Sequence, residues 1–162
     1  MNKVYRTGAV GALLDEYENV IKALQEVIAD VSDPALAAIT DTATTDPNCR
    51  SIQSVLAHVI SSAYSYAVYI QRGSRDSVPG VADTLRTTAK AYIQSLTDAF
   101  VFTVNVFSKI PDNELEEFDP AKKIATRWGQ VYDIEQLMEH AIVHVMRHRR
   151  QIEKFKLVLA TR

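Results

Sequence analysis

Apolar residues recur along this chain at intervals of three and four, which is the spacing of one helix face. The first run covers about Gly8 to Val31, where Leu13, Leu14, Tyr17, Val20, Ile21, Leu24, Val27, Ile28 and Val31 share a stripe. Pro34 helps to end it, because proline disfavours helical geometry in the residue before it. The polar stretch "TDTATTDPNCR" follows and reads as a loop. A second helix is predicted from about Ser51 to Gln71, with Gly73 as its C-cap. "GSRDSVPG" reads as a linker. A third helix is predicted from about Val81 to Lys109, stopping before Pro111. Its face is marked by Leu85, Ala89, Tyr92, Ile93, Leu96, Phe100, Val104 and Phe107.

The helical period then breaks. "IPDNELEEFDPAKKIATRWGQVYD" reads as a long ordered loop with a short hairpin near Ile124 to Val131. Connections of that length are uncommon without a function. A fourth helix begins after Asp133, an N-cap with Gln136 three residues on as in a capping box, and continues to about Leu159. Four helices of roughly 20 to 28 residues in one domain, residues 1–162, predict an all-α fold, most simply an antiparallel-type four-helix bundle with a long connection before the last helix. A less regular all-α domain is the alternative.

Composition narrows the class without naming a function. Apolar residues make up 47% and charged residues 23% of the 162 positions, as in ordinary globular chains. A net charge of −2 argues against nucleic-acid or membrane-surface binding driven by bulk charge. The single cysteine, Cys49, permits no internal disulfide, which suits a reducing cytoplasm. The N-terminal stretch has no apolar core of the signal-peptide kind, and no run approaches the roughly 20 apolar residues that a membrane-spanning helix needs. A cytoplasmic location is the expectation.

The candidate chemistry lies in "HAIVHVMRHRRQIE". Three of the chain's four histidines, His140, His144 and His148, stand there at intervals of four. A helix turns about 100° per residue, so such residues share a face one turn apart, and two of them can chelate one ion without bending the backbone. The drift of about 40° per step makes all three converging on one ion less favourable than two. A further ligand must then come from another helix, and His58 is the remaining histidine. Its helix-surface neighbours are Ser54, Ser61, Ser62 and Ser65. Small hydroxyl residues leave room for water or a ligand and can bond the imidazole nitrogen not used for a metal. Three neutral imidazoles with open positions suit zinc, nickel, cobalt or a similar divalent ion.

Plainer readings stand beside these. A histidine pair one turn apart also occurs as solvated surface or packing. Arg147, Arg149 and Arg150 could steer an anionic substrate, or simply suit the solvent and the C-terminal half of a helix. Tyr64, Tyr66 and Tyr69 read as core or rim, and Trp128 as a loop anchor held by burial. "HVMRH" has the histidine spacing of a zincin but lacks its glutamate. No Glu is followed three residues later by His, so the ferritin-like di-iron pattern is missing. No Gly-rich phosphate loop or CxxC pair occurs, and Cys49 reads as an incidental thiol.

"HVMRHRRQIE" resembles the C-terminal motif H-x-x-x-H-R-x-Q-[IL] of the DinB-like (DinB/YfiT) superfamily, and "VLAHVISSAYSY" and "WGQVYDIEQLMEHAIVH" are similar to its other characteristic segments. The resemblance spans essentially the whole chain. It implies a four-helix bundle, often a homodimer, in which His58, His144 and His148 hold a divalent ion. Zinc or nickel is expected first, with cobalt, manganese or iron as the others. His140 lies outside the motif, one turn earlier, lining or edging the pocket. Arg150 stands where the family commonly has glycine, which touches packing near the site and the preference for a thiol. The resemblance implies a small-molecule thiol S-transferase or hydrolase, with a low-molecular-weight thiol as one partner and no nucleic acid or membrane. A non-catalytic metal-binding, stress-related or ligand-binding bundle is the rival expectation.

Overall fold

The computed structural model describes residues 4–73 and 82–161. The fold class is all-α, with helices α1 (Gly8–Ile28), α2 (Asp33–Ala37), α3 (Ile52–Arg72), α4 (Ala89–Phe107) and α5 (Ile134–Ala160). A small antiparallel ladder joins β1 (Ile124–Ala125) to β2 (Val131–Tyr132), with Ile124 opposite Tyr132. Among the described residues no helix is long and apolar enough to cross a membrane.

The principal contacts form a ring in which α1 packs on α4 and α5, and α3 packs on the same two helices. Side-chain pairs give the sense of each crossing. Tyr17 meets Phe100 and Gln25 bonds Ile93 and Thr97, so α1 and α4 run in opposite senses. Gln53 meets Tyr92 while Tyr64 meets Phe102, so α3 and α4 run in the same sense. His58 lies against His148 and Tyr66 against His140, so α3 and α5 oppose each other. Leu24, Ile28, Leu56, Tyr92, Leu96 and Leu137 are wholly buried at the centre. Leu24, Ile28, Tyr92 and Leu96 are apolar stripe positions of the sequence, and removing such side chains from water is the main favourable term in folding.

The helix ends depart from the periodicity in instructive ways. α1 stops at Ile28 rather than Val31. Val31 is still buried, but in the turn that leads to Ser32, whose hydroxyl accepts from Ala35 N and starts α2. Pro34 therefore opens a new short helix, a position where its missing N–H costs nothing. The third predicted helix begins eight residues late. Thr88 caps it by accepting from Ala91 N at 3.1 Å, and Leu85, assigned to its face, is non-helical and 60% exposed. The linker "GSRDSVPG" lies outside the described residues apart from Gly73, and Val81 lies outside them too. Gly73 caps α3 at φ +64°, as its sequence position suggests.

α1 has no side-chain cap from Thr7. Its first free amides are met from across the chain, where Asp112 accepts from Ala9 N at 3.0 Å and Val10 N at 2.9 Å. Gly8 makes this approach possible, since a Cβ there would run into the Asp112 carboxylate. α5 carries the predicted capping box. Asp133 accepts from Gln136 N at 2.8 Å, Gln136 returns a bond to Asp133 N at 3.2 Å, and Lys123 pairs with the Asp133 carboxylate at 3.0 Å. Asp133→Ala should destabilise the protein by about 1–2 kcal/mol, because it uncaps the helix that carries most of the histidines and strips Lys123 of its partner. The check is the urea midpoint at neutral pH, and an unchanged midpoint refutes it.

Candidate metal centre

α3 and α5 cross with His58 facing His144 and His148. Ligand atoms of these three side chains all lie within 4.8 Å of one another. Nε2 of His58 is 3.1 Å from Nε2 of His144. Two nitrogens bound at about 2.0–2.1 Å to one ion and set at 90–109° are about 2.9–3.4 Å apart, so this separation fits a shared cation. The three ring centroids are 4.5 to 5.2 Å apart. These three residues could hold a metal ion, and among the described residues no fourth histidine, cysteine or carboxylate joins the group.

Hydrogen-bond bookkeeping fixes how one ligand presents itself. Gln151 donates through Nε2 to the carbonyl of Cys49 at 3.5 Å, so its Oε1 is the free acceptor. His148 Nδ1 lies 3.0 Å from that oxygen and must donate to it. The Nε2 lone pair of His148 is then left for an ion, the usual arrangement of a braced metal ligand. Gln151 was legible as the residue one turn after His148, but its brace to a carbonyl in the loop before α3 was not. Cys49 thus acts in the site through its backbone. His144 Nδ1 is buried with no hydrogen-bond partner among the described residues.

The electrostatics favour the neutral form of His144 and His148. Burial pushes His144 down to about 2, with His148, His58, His140 and Arg147 adding in the same direction. His148 is lowered by burial first, while its bond to Gln151 opposes the shift. Neutral imidazole is the form that binds metals, so desolvation prepares the cluster for a cation other than the proton.

His140 is not part of the group. Its ring stacks on Trp128 at 5.9 Å and 22°, its Nδ1 is 3.2 Å from the Tyr132 hydroxyl, and burial lowers its pKa. It lines a cavity of about 390 Å³ shared with His58, His144, Tyr66, Trp128 and three serines. Trp128 is 44% exposed, so it does not anchor its loop by burial as the sequence suggested. The loop is held differently. Gly129 takes φ +88° in a tight turn closed by Thr126 N on Gln130 O at 2.9 Å, and Arg127 N donates to Tyr69 Oη at 3.1 Å. Trp128 is left as a wall against Tyr66 and Tyr69. Tyr66 and Tyr69 are buried and Tyr64 is half-buried, and burial pushes the Tyr66 hydroxyl up to about 12.

The serines divide. Ser61, Ser62 and Ser65 line the cavity, but Ser54 belongs to the capping box of α3 with Ser51. Among the described residues the hydroxyls of Ser61 and Ser65 bond the carbonyls of His58 and Ser61, and Ser61 also bonds Asp83, so they do not brace the His58 imidazole as expected. Arg147 and Arg150 are exposed, and Arg149 pairs with Glu153 at 3.4 Å. No protein-family model matches this chain, and no curated protein matches it.

The depressed histidines set a pH dependence. The unfolded chain protonates these rings near 6.5 while the folded chain resists, so stability is intact above that pH and falls as pH drops below it. For His144 alone the slope is about 1.4 kcal/mol per pH unit in that range. Urea midpoints of metal-free protein should fall from pH 7 to pH 5, and less steeply in His144→Gln. A flat profile contradicts the buried neutral cluster.

Proposed function

We propose that the chain is a DinB-like four-helix bundle that holds a divalent cation on His58, His144 and His148 and works as a small-molecule enzyme, a thiol S-transferase or hydrolase. Zinc or nickel suits three imidazoles first, with cobalt, manganese or iron as the others. The observation that carries this reading is the convergence of three ligand atoms within 4.8 Å beside a cavity, with no fourth protein ligand among the described residues. A structural site closes its shell with protein atoms, whereas three ligands leave a position open for chemistry. The ring of four long helices, each packed on two others, supports the bundle.

His58, His144 and His148 would hold the divalent ion, which would lower the pKa of a water or thiol and so supply a nucleophile near neutral pH. The chain's own groups do the rest. Gln151 holds His148 in the tautomer that offers Nε2. Trp128 and Tyr66 narrow the cavity and thin the water around the reacting centre. Arg147 lies close enough to depress His140, His144 and His148, and the same charge draws an anionic thiolate or electrophile toward the mouth. The partners in this reading are a small-molecule substrate, a low-molecular-weight thiol and a second copy of the chain as a homodimer, in the cytoplasm.

Elemental analysis of protein purified without an affinity tag should find a stoichiometric divalent ion. His58→Ala, His144→Ala and His148→Ala should each lose most of it, and His140→Ala should keep it. Unchanged metal content in all three triad variants ends the proposal. Zinc at a hundred times its Kd should stabilise the metal-free chain by about 2.7 kcal/mol through mass action, read as a shift in Tm. His144→Ala should abolish that shift.

A further inference from the structure

We infer that the cavity beside the three histidines takes a planar, conjugated ligand carrying an O–H or N–H donor, which stacks on Trp128 and donates to Nε2 of His140. This names the ligand class of the site proposed above and rests on that reading for what then happens to the ligand.

Protons are fixed in place along one chain of side chains, from Trp128 through Gln130 and Tyr132 to His140. The indole N–H of Trp128 can only donate, and it meets Gln130 Oε1 at 3.2 Å. That atom is therefore the amide oxygen and an acceptor. The Tyr132 hydroxyl also contacts it, so Tyr132 gives its proton to Gln130. With that proton committed, the Tyr132 oxygen can only accept from His140 Nδ1, 3.2 Å away. A neutral imidazole with its proton on Nδ1 carries its lone pair on Nε2. No protein group among the described residues bonds that nitrogen, and it is not among the sealed, unpartnered atoms of the interior. His140 thus offers an accessible acceptor whose tautomer is locked three residues away.

The rest of the wall has the same character. The polar hydrogen of Trp128 is consumed, so its 44% exposed indole offers apolar, planar surface. The hydroxyl proton of Ser65 goes to the Ser61 carbonyl, and the single proton of Ser61 is taken between the His58 carbonyl and the Asp83 carboxylate, so both oxygens offer only lone pairs to a ligand. A flat aromatic wall with acceptors on His140, Ser61 and Ser65 matches a phenol, a heteroaromatic N–H or a related conjugated donor. A site built to receive a hydrogen bond discriminates against the analogue that lacks the donor, because its own polar atom is left unpaired.

Phenol and anisole, alike in ring and close in size, form the test. Each is titrated into the full chain, both as purified and after chelation, and followed through the single indole N–H resonance of Trp128 and through the ligand's own signals. Phenol should bind about tenfold more tightly than anisole in both preparations. His140→Phe should keep the stacking and remove the preference. Tyr132→Phe, which unlocks the tautomer without touching the cavity wall, should reduce the preference several-fold, and it serves if His140→Phe does not fold. Trp128→Ala should weaken both ligands. Equal affinities, no saturable binding of either ligand, or a preference that survives both His140→Phe and Tyr132→Phe overturns the inference. Metal content of the same samples is read independently. A chain that takes up no ion but prefers phenol sinks the enzyme and keeps the ligand class, and a chain that holds the ion without the preference does the reverse.

Discussion

The antiparallel crossing of α3 over α5 sets three imidazoles side by side and takes them partly out of water. Everything chemical in this protein depends on that desolvation. A buried histidine cannot carry a proton cheaply, and at His144 burial, the other histidines and Arg147 all disfavour it, while at His148 burial outweighs the opposing bond to Gln151. What remains is a cluster of lone pairs with a short nitrogen–nitrogen separation. Such a cluster could hold a metal ion in the geometry already present.

The scaffold holds this arrangement at several removes from the site. Gln151 ties His148 to the carbonyl of Cys49 in the turn that precedes α3, so one histidine of the cluster is braced by the segment that leads into the helix carrying another. At the other end of the cavity the hairpin between β1 and β2 is fastened to α3 through Arg127 N and Tyr69. That fastening places Trp128 over the cavity and aligns the relay that runs through Gln130 and Tyr132 to His140. The long connection before α5 is therefore a wall of the site as well as a link. Its hairpin is the part that touches His140, through Trp128 and Tyr132.

Some of this was legible before any coordinates. The capping box at Asp133 and Gln136, the glycine after α3 and the apolar stripe of α1 are local codes, read within a turn or two of helix, and they place their elements to within a few residues. The errors fall where a local code was outvoted. Leu85 continues the stripe of the third helix on paper, but the Thr88 cap starts that helix later and leaves Leu85 in water. Val31 keeps its burial while losing its helix, because a buried position in a turn and one on a helix face look the same in a pattern of apolar residues. Ser54 sits beside His58 by spacing yet serves the helix end, since the orphan amides of a first turn compete for any hydroxyl within reach.

By itself, the sequence determined which residues could be ligands and which faces they occupy, because helical spacing alone puts His144 and His148 one turn apart and His58 among small hydroxyl residues. Only the tertiary structure decided that these faces meet, that His140 leaves the ligand group for Trp128 and Tyr132, and that Asp112 caps a helix about a hundred residues away. The reason is physical. Spacing along a helix is dictated by bonds between near neighbours, but the partner of a face is chosen by packing and desolvation summed over the whole chain, and no short stretch of residues carries that sum.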